Sequence, residues 1–277
     1  MEVIVSQLTK RYGDIPAISG ISFEVHPQEI VALVGPNGSG KSTLIKTMAT
    51  IYNPTSGSIT FDGEDIFTAD PIDLATRVGY VPQHFTFTLY TSVFETILLG
   101  RRRHIKWSVS AEELTRVQDA LDTLEISHLA AKNMDQLSGG ERQKVFIARA
   151  LAQDPALYLF DEPTSALDIR HQIDVMEIMR QVTRRQNAAM IIAVHDLNLA
   201  YRYADVVVML DHGTRIGYGK PEEVLTPSGI ETVYGVTACM VENEYGRFLL
   251  PVRKSGAAAT KDEKMNLTFR EDAERSH

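Results

Sequence analysis

One loop constrains this chain more than any other feature. It reads Gly35-Pro36-Asn37-Gly38-Ser39-Gly40-Lys41-Ser42-Thr43. A glycine, four residues and then Gly-Lys-Ser is the spacing of a phosphate cradle. The preceding segment, Ile30 to Val34, is short, apolar and rich in branched residues, so it is expected to be a buried strand. The following one, Ser42 to Thr50, is expected to be a helix. Such a loop aims several backbone N–H groups at an anion from a helix N-terminus. Lys41 then supplies a point charge for the β- and γ-phosphates, and the Ser42 hydroxyl is placed to hold Mg²⁺. A tight glycine turn with no ligand is the plain alternative, and the Lys-Ser pair after a strand speaks against it.

A second glycine-rich stretch, Leu137-Ser138-Gly139-Gly140-Glu141-Arg142-Gln143, lies shortly before an apolar run ending Leu157-Tyr158-Leu159-Phe160-Asp161-Glu162-Pro163. With these in order, the chain resembles the ATP-binding subunits of ATP-binding cassette (ABC) transporters. The second stretch is similar to their signature motif and the third to their Walker B strand with its adjoining glutamate. The resemblance runs from about Glu2 to Val252. It implies an α/β fold: a P-loop NTPase parallel-sheet core with an antiparallel β layer and an inserted α-helical subdomain.

Composition agrees. The chain has 277 residues, 44% of them hydrophobic, which suffices for a sizeable core. A net charge of −8 argues against a nucleic-acid partner, which needs a basic footprint. The single cysteine, Cys239, excludes an internal disulfide and suits a reducing compartment. Met1-Glu2-Val3-Ile4-Val5 lacks the basic start and apolar core of a signal peptide, so none is expected. The apolar runs, such as 188–194 and 206–210, are strand-sized, well short of the roughly 20 residues of a membrane helix. This chain is therefore not expected to form a membrane pathway by itself.

Periodicity divides the chain. Segments 3–8, 18–25 and 58–61 alternate or are β-rich and predict an antiparallel layer. Uniformly apolar segments at 30–34, 78–81, 157–160, 190–194 and 206–210, several separated by helical stretches, predict a parallel sheet covered on both faces. Between Ser92 and Asp135 the pattern turns helical and polar, for example over 111–124, so a helical subdomain is expected at about 85–137. A strand-like portion runs from Thr237 to Val252. The ATP-binding domain is thus expected over 1–252. The polar tail, 253–277, is expected to be disordered or loosely docked.

Ligands of open α/β sheets bind beyond the carboxyl ends of the strands. The phosphate loop, Asp161-Glu162 and His195 all follow apolar strands directly and should meet at one edge. Asp161 is expected to hold Mg²⁺ through water. Glu162 is expected to orient or deprotonate the attacking water, since phosphoryl transfer needs positioning and charge neutralisation more than covalent chemistry. The remaining roles come from the resemblance. It implies that His195 senses the γ-phosphate, and that Gln83 links Mg²⁺ and γ-phosphate to the helical subdomain. It also implies that Tyr12 stacks on adenine; a core tyrosine is the alternative.

Ser138, Gly139 and Gly140 precede a helix and form a second anion site at its N-terminus. One nucleotide cannot easily use both cradles. The resemblance resolves this with a head-to-tail homodimer, in which each ATP lies between the phosphate loop of one copy and the signature of the other. Asp168, in Ser165-Ala166-Leu167-Asp168, is similar to the loop that crosses that interface.

The cargo is read only indirectly. Leu167 to Gln172, Leu99-Gly100-Arg101 with His104 and Trp107, and Val233-Tyr234-Gly235-Val236 resemble the branch serving iron-chelate, haem and cobalamin importers. Arg103 departs from that branch, which carries proline there. The run Arg101-Arg102-Arg103 is expected to be a solvated basic face, with an anionic lipid headgroup contact as a second reading. The resemblance implies a peripheral subunit at the cytoplasmic face of the cell membrane. Its partners would be a polytopic permease and, indirectly, a substrate-binding protein. The apolar, aromatic stretch His84 to Leu98, with Phe85, Phe87, Leu89, Tyr90, Val93 and Phe94, is expected to dock the permease, with buried packing inside the helical subdomain as the alternative for several of them. An exporter subunit or a soluble ABC ATPase remains open at this point.

Overall fold

The computed structural model describes residues 1–83, 90–105, 107–244 and 246–252. Twelve strands and nine helices lie within them. An antiparallel sheet, ordered β2-β1-β4-β5, contains β1 (Val3–Tyr12), β2 (Ile15–Val25), β4 (Ser56–Phe61) and β5 (Glu64–Asp65). The central sheet is ordered β10-β9-β3-β8-β7-β6. Its members are β3 (Ile30–Val34), β6 (Val78–Val81), β7 (Leu157–Asp161), β8 (Ala189–Ala193), β9 (Val206–Asp211) and β10 (Thr214–Gly219). All neighbours pair in parallel except β10, which runs antiparallel to β9 at the edge. A separate hairpin joins β11 (Thr237–Asn243) to β12 (Gly246–Val252).

Every residue of β3, β7 and β8 is buried, as strands covered on both faces must be. Side-chain alternation splits β3 between two cores. Val31 and Leu33 join the antiparallel sheet and helix α1 (Lys41–Met48). Ile30, Ala32 and Val34 point to the other face. That face is covered by α5 (Gly139–Gln153), α6 (Ile169–Arg185), α7 (Leu197–Tyr203) and α9 (Pro227–Tyr234). Helix α2 (Pro71–Arg77) precedes β6, and α8 (Pro221–Val224) precedes α9. Helices α3 (Val93–Leu98) and α4 (Ala111–Thr123) pack on α5. Their buried residues, Val93, Ile97, Val117 and Leu121, run into the same core as the sheet. The helical insert is thus anchored to the nucleotide core through α5.

Two expectations need correction. Strand β10 was not predicted: its sequence, TRIGYG, contains two glycines and no buried apolar residue. The basic run is not one solvated face. Arg101 is buried, and its guanidinium donates to the carbonyls of Ala152 (2.9 Å) and Gln153 (3.3 Å), with Glu113 at 3.9 Å. A cation at the C-terminus of α5 satisfies orphan carbonyls and complements the helix dipole. Arg102 and Arg103 are exposed.

Among the described residues, no helix is long and apolar enough to cross a membrane. The expected docking residues Phe85, Phe87 and Leu89 and the tail 253–277 lie outside the described residues. Of the rest of that stretch, Val93 is buried and Phe94 packs against the core, while Tyr90 is exposed.

Candidate active site

The phosphate loop turns sharply from β3 into α1, and two of its glycines are there for close approach. Gly35 has φ +149, and a Cβ on it would lie 2.1 Å from the Leu210 carbonyl oxygen. Gly40 has φ +101, and its Cβ would meet the Ala17 carbonyl at 2.7 Å. Both are φ values that L side chains rarely adopt. Lys41 opens α1 and is buried; its Nζ donates back to the carbonyls of Gly35 (2.7 Å) and Pro36 (3.0 Å). Burial pulls the Lys41 ammonium below the usual lysine range, and the Glu162 and Asp161 carboxylates oppose that shift. The loop wraps a cavity of about 660 Å³ lined by 37–43 and by Gln83, Glu162, His195, His212 and 15–17. The buried Ser39 hydroxyl has no partner.

The carboxyl ends of the strands bring the acids alongside. Asp161 closes β7 opposite Ala193 of β8. Its Oδ1 accepts the Ser42 hydroxyl at 2.8 Å, while Oδ2 is buried without a partner. Burial raises the Asp161 carboxyl above the ordinary carboxylate range; the Ser42 hydrogen bond works the other way. An orphaned carboxylate oxygen beside a hydroxyl is a hard-oxygen donor pair, and it fits Mg²⁺, which keeps waters and phosphate oxygens in its shell. Among the described residues no cluster of three His, Cys, Asp or Glu could hold a metal unaided.

Glu162 follows at φ +56, a left-handed conformation uncommon outside glycine. Two residues converge on its carboxylate. The Gln83 amide donates to Oε2 at 2.6 Å, and His195 Nε2 lies 2.5 Å from Oε1. The Glu162 backbone N–H donates to Ala193 O (3.2 Å), which ties its turn to β8. Three residues drawn from three strand ends therefore meet at one carboxylate beside the phosphate cavity.

Tyr12 is half exposed, which removes the core-tyrosine reading. It meets Tyr52 edge-on at 5.8 Å, with the Lys10 ammonium 5.4 Å from its ring centre.

Ser138, Gly139 and Gly140 open α5 at a distinct cavity of about 610 Å³, shared with Lys144, Asp168 and His171. Here the polar groups are already engaged. Ser138 and Glu141 form a reciprocal capping box, with Glu141 Oε2 2.8 Å from the Ser138 N–H. Asp168 caps α6 by accepting the His171 N–H (2.9 Å) and pairs with His171 Nδ1 (2.8 Å). Sequence reasoning named Gln172 and Ser165 within longer stretches but not their structural roles. The Gln172 amide donates to the carbonyls of Thr164 (3.1 Å) and Leu167 (3.0 Å) and so folds the loop between Glu162 and Asp168. The Ser165 hydroxyl donates to Glu162 O at 3.0 Å.

The family profile described as ABC transporter matches residues 18–165, more than half of the chain. This protein belongs to the ABC transporter family, as an ATP-binding subunit. An uncharacterised ABC transporter ATP-binding protein of Methanocaldococcus jannaschii is 44% identical over 85% of this chain and 91% of its own length. The hemin import ATP-binding protein HmuV of Thermobifida fusca is 38% identical over 89% and 87%. The ferric enterobactin transport ATP-binding protein FepC of Escherichia coli is 36% identical over 86% and 88%. Among solved structures, an inward-facing ABC transporter assigned to the metal-chelate type superposes with a TM-score of 0.78 at 28% identity, over 91% of this chain and 98% of that one. A dimeric ABC cassette superposes with a TM-score of 0.73 at 28% identity, over 79% and 99%. The ABC subunit described here is thus an ATP hydrolase that powers transport through a separate permease.

Proposed function

We propose that this subunit drives uptake of an iron chelate or haem, working as a homodimer on the cytoplasmic face of a polytopic permease fed by a substrate-binding protein. Relatives named for ferric enterobactin and hemin transport support that cargo class over cobalamin. The ATP-binding domain is proposed to span 1–252, with the helical subdomain inserted at about 85–137. Tyr90, exposed at the start of that insert, is a candidate contact with the permease.

The reading of the site rests on the convergence of Gln83 and His195 on Glu162. In the proposed scheme, residues 35–43 cradle the phosphates and Lys41 neutralises charge on the β- and γ-phosphates. Ser42, Asp161 and Gln83 hold Mg²⁺, which neutralises the phosphate oxygens when bound. Tyr12 stacks on the adenine. Glu162 orients the attacking water and takes its proton, and His195 contacts the γ-phosphate. Ser138, Gly139, Gly140 and Asp168 of the second copy close the site. The catalytic groups engage one another: Lys41 is tied to its own loop, and Glu162 to Gln83 and His195. Phosphates entering the cavity compete for both sets of bonds, which couples binding to readiness for hydrolysis.

Glu162→Gln tests this. The amide keeps the shape but cannot take a proton, so turnover should fall by roughly 10²–10⁴-fold while ATP still binds. Phosphate release at the wild-type rate would remove Glu162 from the reaction.

A further inference from the structure

One stretch of the chain inverts the charge of the whole. The protein carries a net charge of −8, yet residues 96–111 hold three arginines and a lysine and no aspartate or glutamate. The same stretch holds Trp107, the only tryptophan in the chain. Its first arginine, Arg101, is engaged inside the fold at the end of α5. The next two are not. Arg102 and Arg103 are exposed, and among the described residues their side chains have no ion pair or hydrogen bond. Other surface arginines, such as Arg77, Arg116 and Arg184, each face a carboxylate.

The segment bearing these side chains is built into the fold at both ends. A single 3-10 turn, Leu99–Arg101, opens it. That turn presses on α5 so closely that a Cβ on Gly100 would lie 2.3 Å from the Arg149 carbonyl oxygen. The Arg101 guanidinium faces the buried Glu113 carboxylate at 3.9 Å, and Glu113 also accepts the Ser110 N–H at 3.1 Å in the capping box of α4. Arg101 and Ser110 thus meet at one carboxylate, which pins the two ends side by side. Between them the Trp107 side chain is 100% exposed, and Val109 is exposed too. An indole pairs an apolar body with an N–H donor, the combination that settles at the headgroup level of a bilayer.

We propose that the segment 102–109 rests on an anionic bilayer surface, with Arg102 and Arg103 pairing lipid phosphates and Trp107 seated among the headgroups. Charge of one sign suits a surface of the other, and a guanidinium fork matches a phosphate through two N–H bonds. A membrane is favoured over a protein partner on grounds of shape. A partner helix needs a groove, and this segment lines neither cavity described above. A wholly exposed indole on a pinned loop suits a surface with no fixed shape. The chain as a whole is acidic and is repelled by anionic lipid, so the contact is confined to this segment. The proposal rests on the subunit's proposed seat beside a permease at the membrane.

A single tryptophan makes the test direct, because the intrinsic indole emission of the full chain reports on this segment alone. The chain is titrated with vesicles of phosphatidylcholine and with vesicles in which part of that lipid is replaced by phosphatidylglycerol. Emission should shift to the blue with the anionic vesicles only, and salt should reverse the shift. The double variant Arg102→Gln, Arg103→Gln should lower the partition coefficient by roughly 25-fold, about fivefold for each arginine, with basal ATPase activity unchanged. An unshifted emission with anionic vesicles, an equal shift with neutral ones, or a double variant that binds like the wild type would overturn the proposal. So would a double variant that loses a co-purifying permease while the wild-type indole ignores lipid, since the segment would then contact protein. No permease enters the vesicle measurement. A chain that responds to anionic vesicles but is retained by no permease would therefore support the lipid contact and overturn the seat beside a permease.

Discussion

Two helix N-termini in this chain face cavities of similar size, yet they are prepared in opposite ways. At the N-terminus of α1 several polar groups are buried: Lys41 is desolvated, Ser39 Oγ and Asp161 Oδ2 lack partners, and Gly35 and Gly40 occupy conformations that admit no side chain without clash. At the N-terminus of α5 the polar groups are exposed and content: Ser138 is locked in a capping box with Glu141, and Asp168 is paired with His171. The first cradle presents desolvated and unpartnered polar groups that a bound nucleotide would engage. The second is a finished surface that a ligand meets only when something carries it there. This asymmetry within one chain is what a site completed by a second copy requires.

Substitutions can break that contrast, and the largest effect belongs to the first cradle. Lys41→Ala should weaken ATP binding by roughly 10- to 100-fold, since a charge-assisted contact is worth about 1.5–3 kcal/mol. Equilibrium titration with ATP measures it, and wild-type affinity would show that the lysine charge is not directed at phosphate.

Asp161→Asn should separate stability from function. Because burial holds the folded-state carboxyl above its ordinary value, its favourable contribution is complete at acid pH and is lost as pH rises through the raised value. At neutral pH the ionised group thus costs stability, and the neutral amide removes that cost. The variant should melt higher than the wild type at pH 7 without nucleotide, and this advantage should disappear below about pH 4, where the wild-type carboxyl is itself protonated. It should also lose the extra stabilisation by Mg²⁺-ATP that binding confers on the wild type. A lower Tm at pH 7 would mean that the buried carboxylate is not strained.

The smallest effect belongs to the second cradle. Ser138→Ala removes a helix cap and should cost about 1 kcal/mol of stability. ATP affinity of the isolated monomer should not change. A loss of monomer affinity would place Ser138 in the same chain's nucleotide site and erase the contrast.

How much of this was legible depended on how local the signal is. The phosphate loop, Asp161, Glu162, His195 and Ser138 could be read because each sits where a buried strand ends or a helix begins, and both transitions show in hydrophobic periodicity. The parallel core was readable for the same reason. What escaped depends on distant partners. Arg101 stands in a run of three arginines, and nothing local says that its guanidinium turns inward onto the end of a helix some fifty residues away. Residues 15–17, at the start of β2, and His212, in the turn after β9, line the phosphate cavity from places that only the packed fold brings near. Gln172 acts on backbone carbonyls, which carry no sequence signature. Strand β10 failed the pattern because an edge strand need not bury a face.

The central claim is that the two cradles of one chain serve different nucleotides. Heterodimers carrying Lys41→Ala and Ser138→Arg test it directly through their ATPase rate. In a head-to-tail dimer, the two changes on different chains damage the same composite site and leave the other intact. Both changes on one chain damage both sites. The account predicts that the dimer with the changes on separate chains is the more active. Equal or greater activity with both changes on one chain would contradict it.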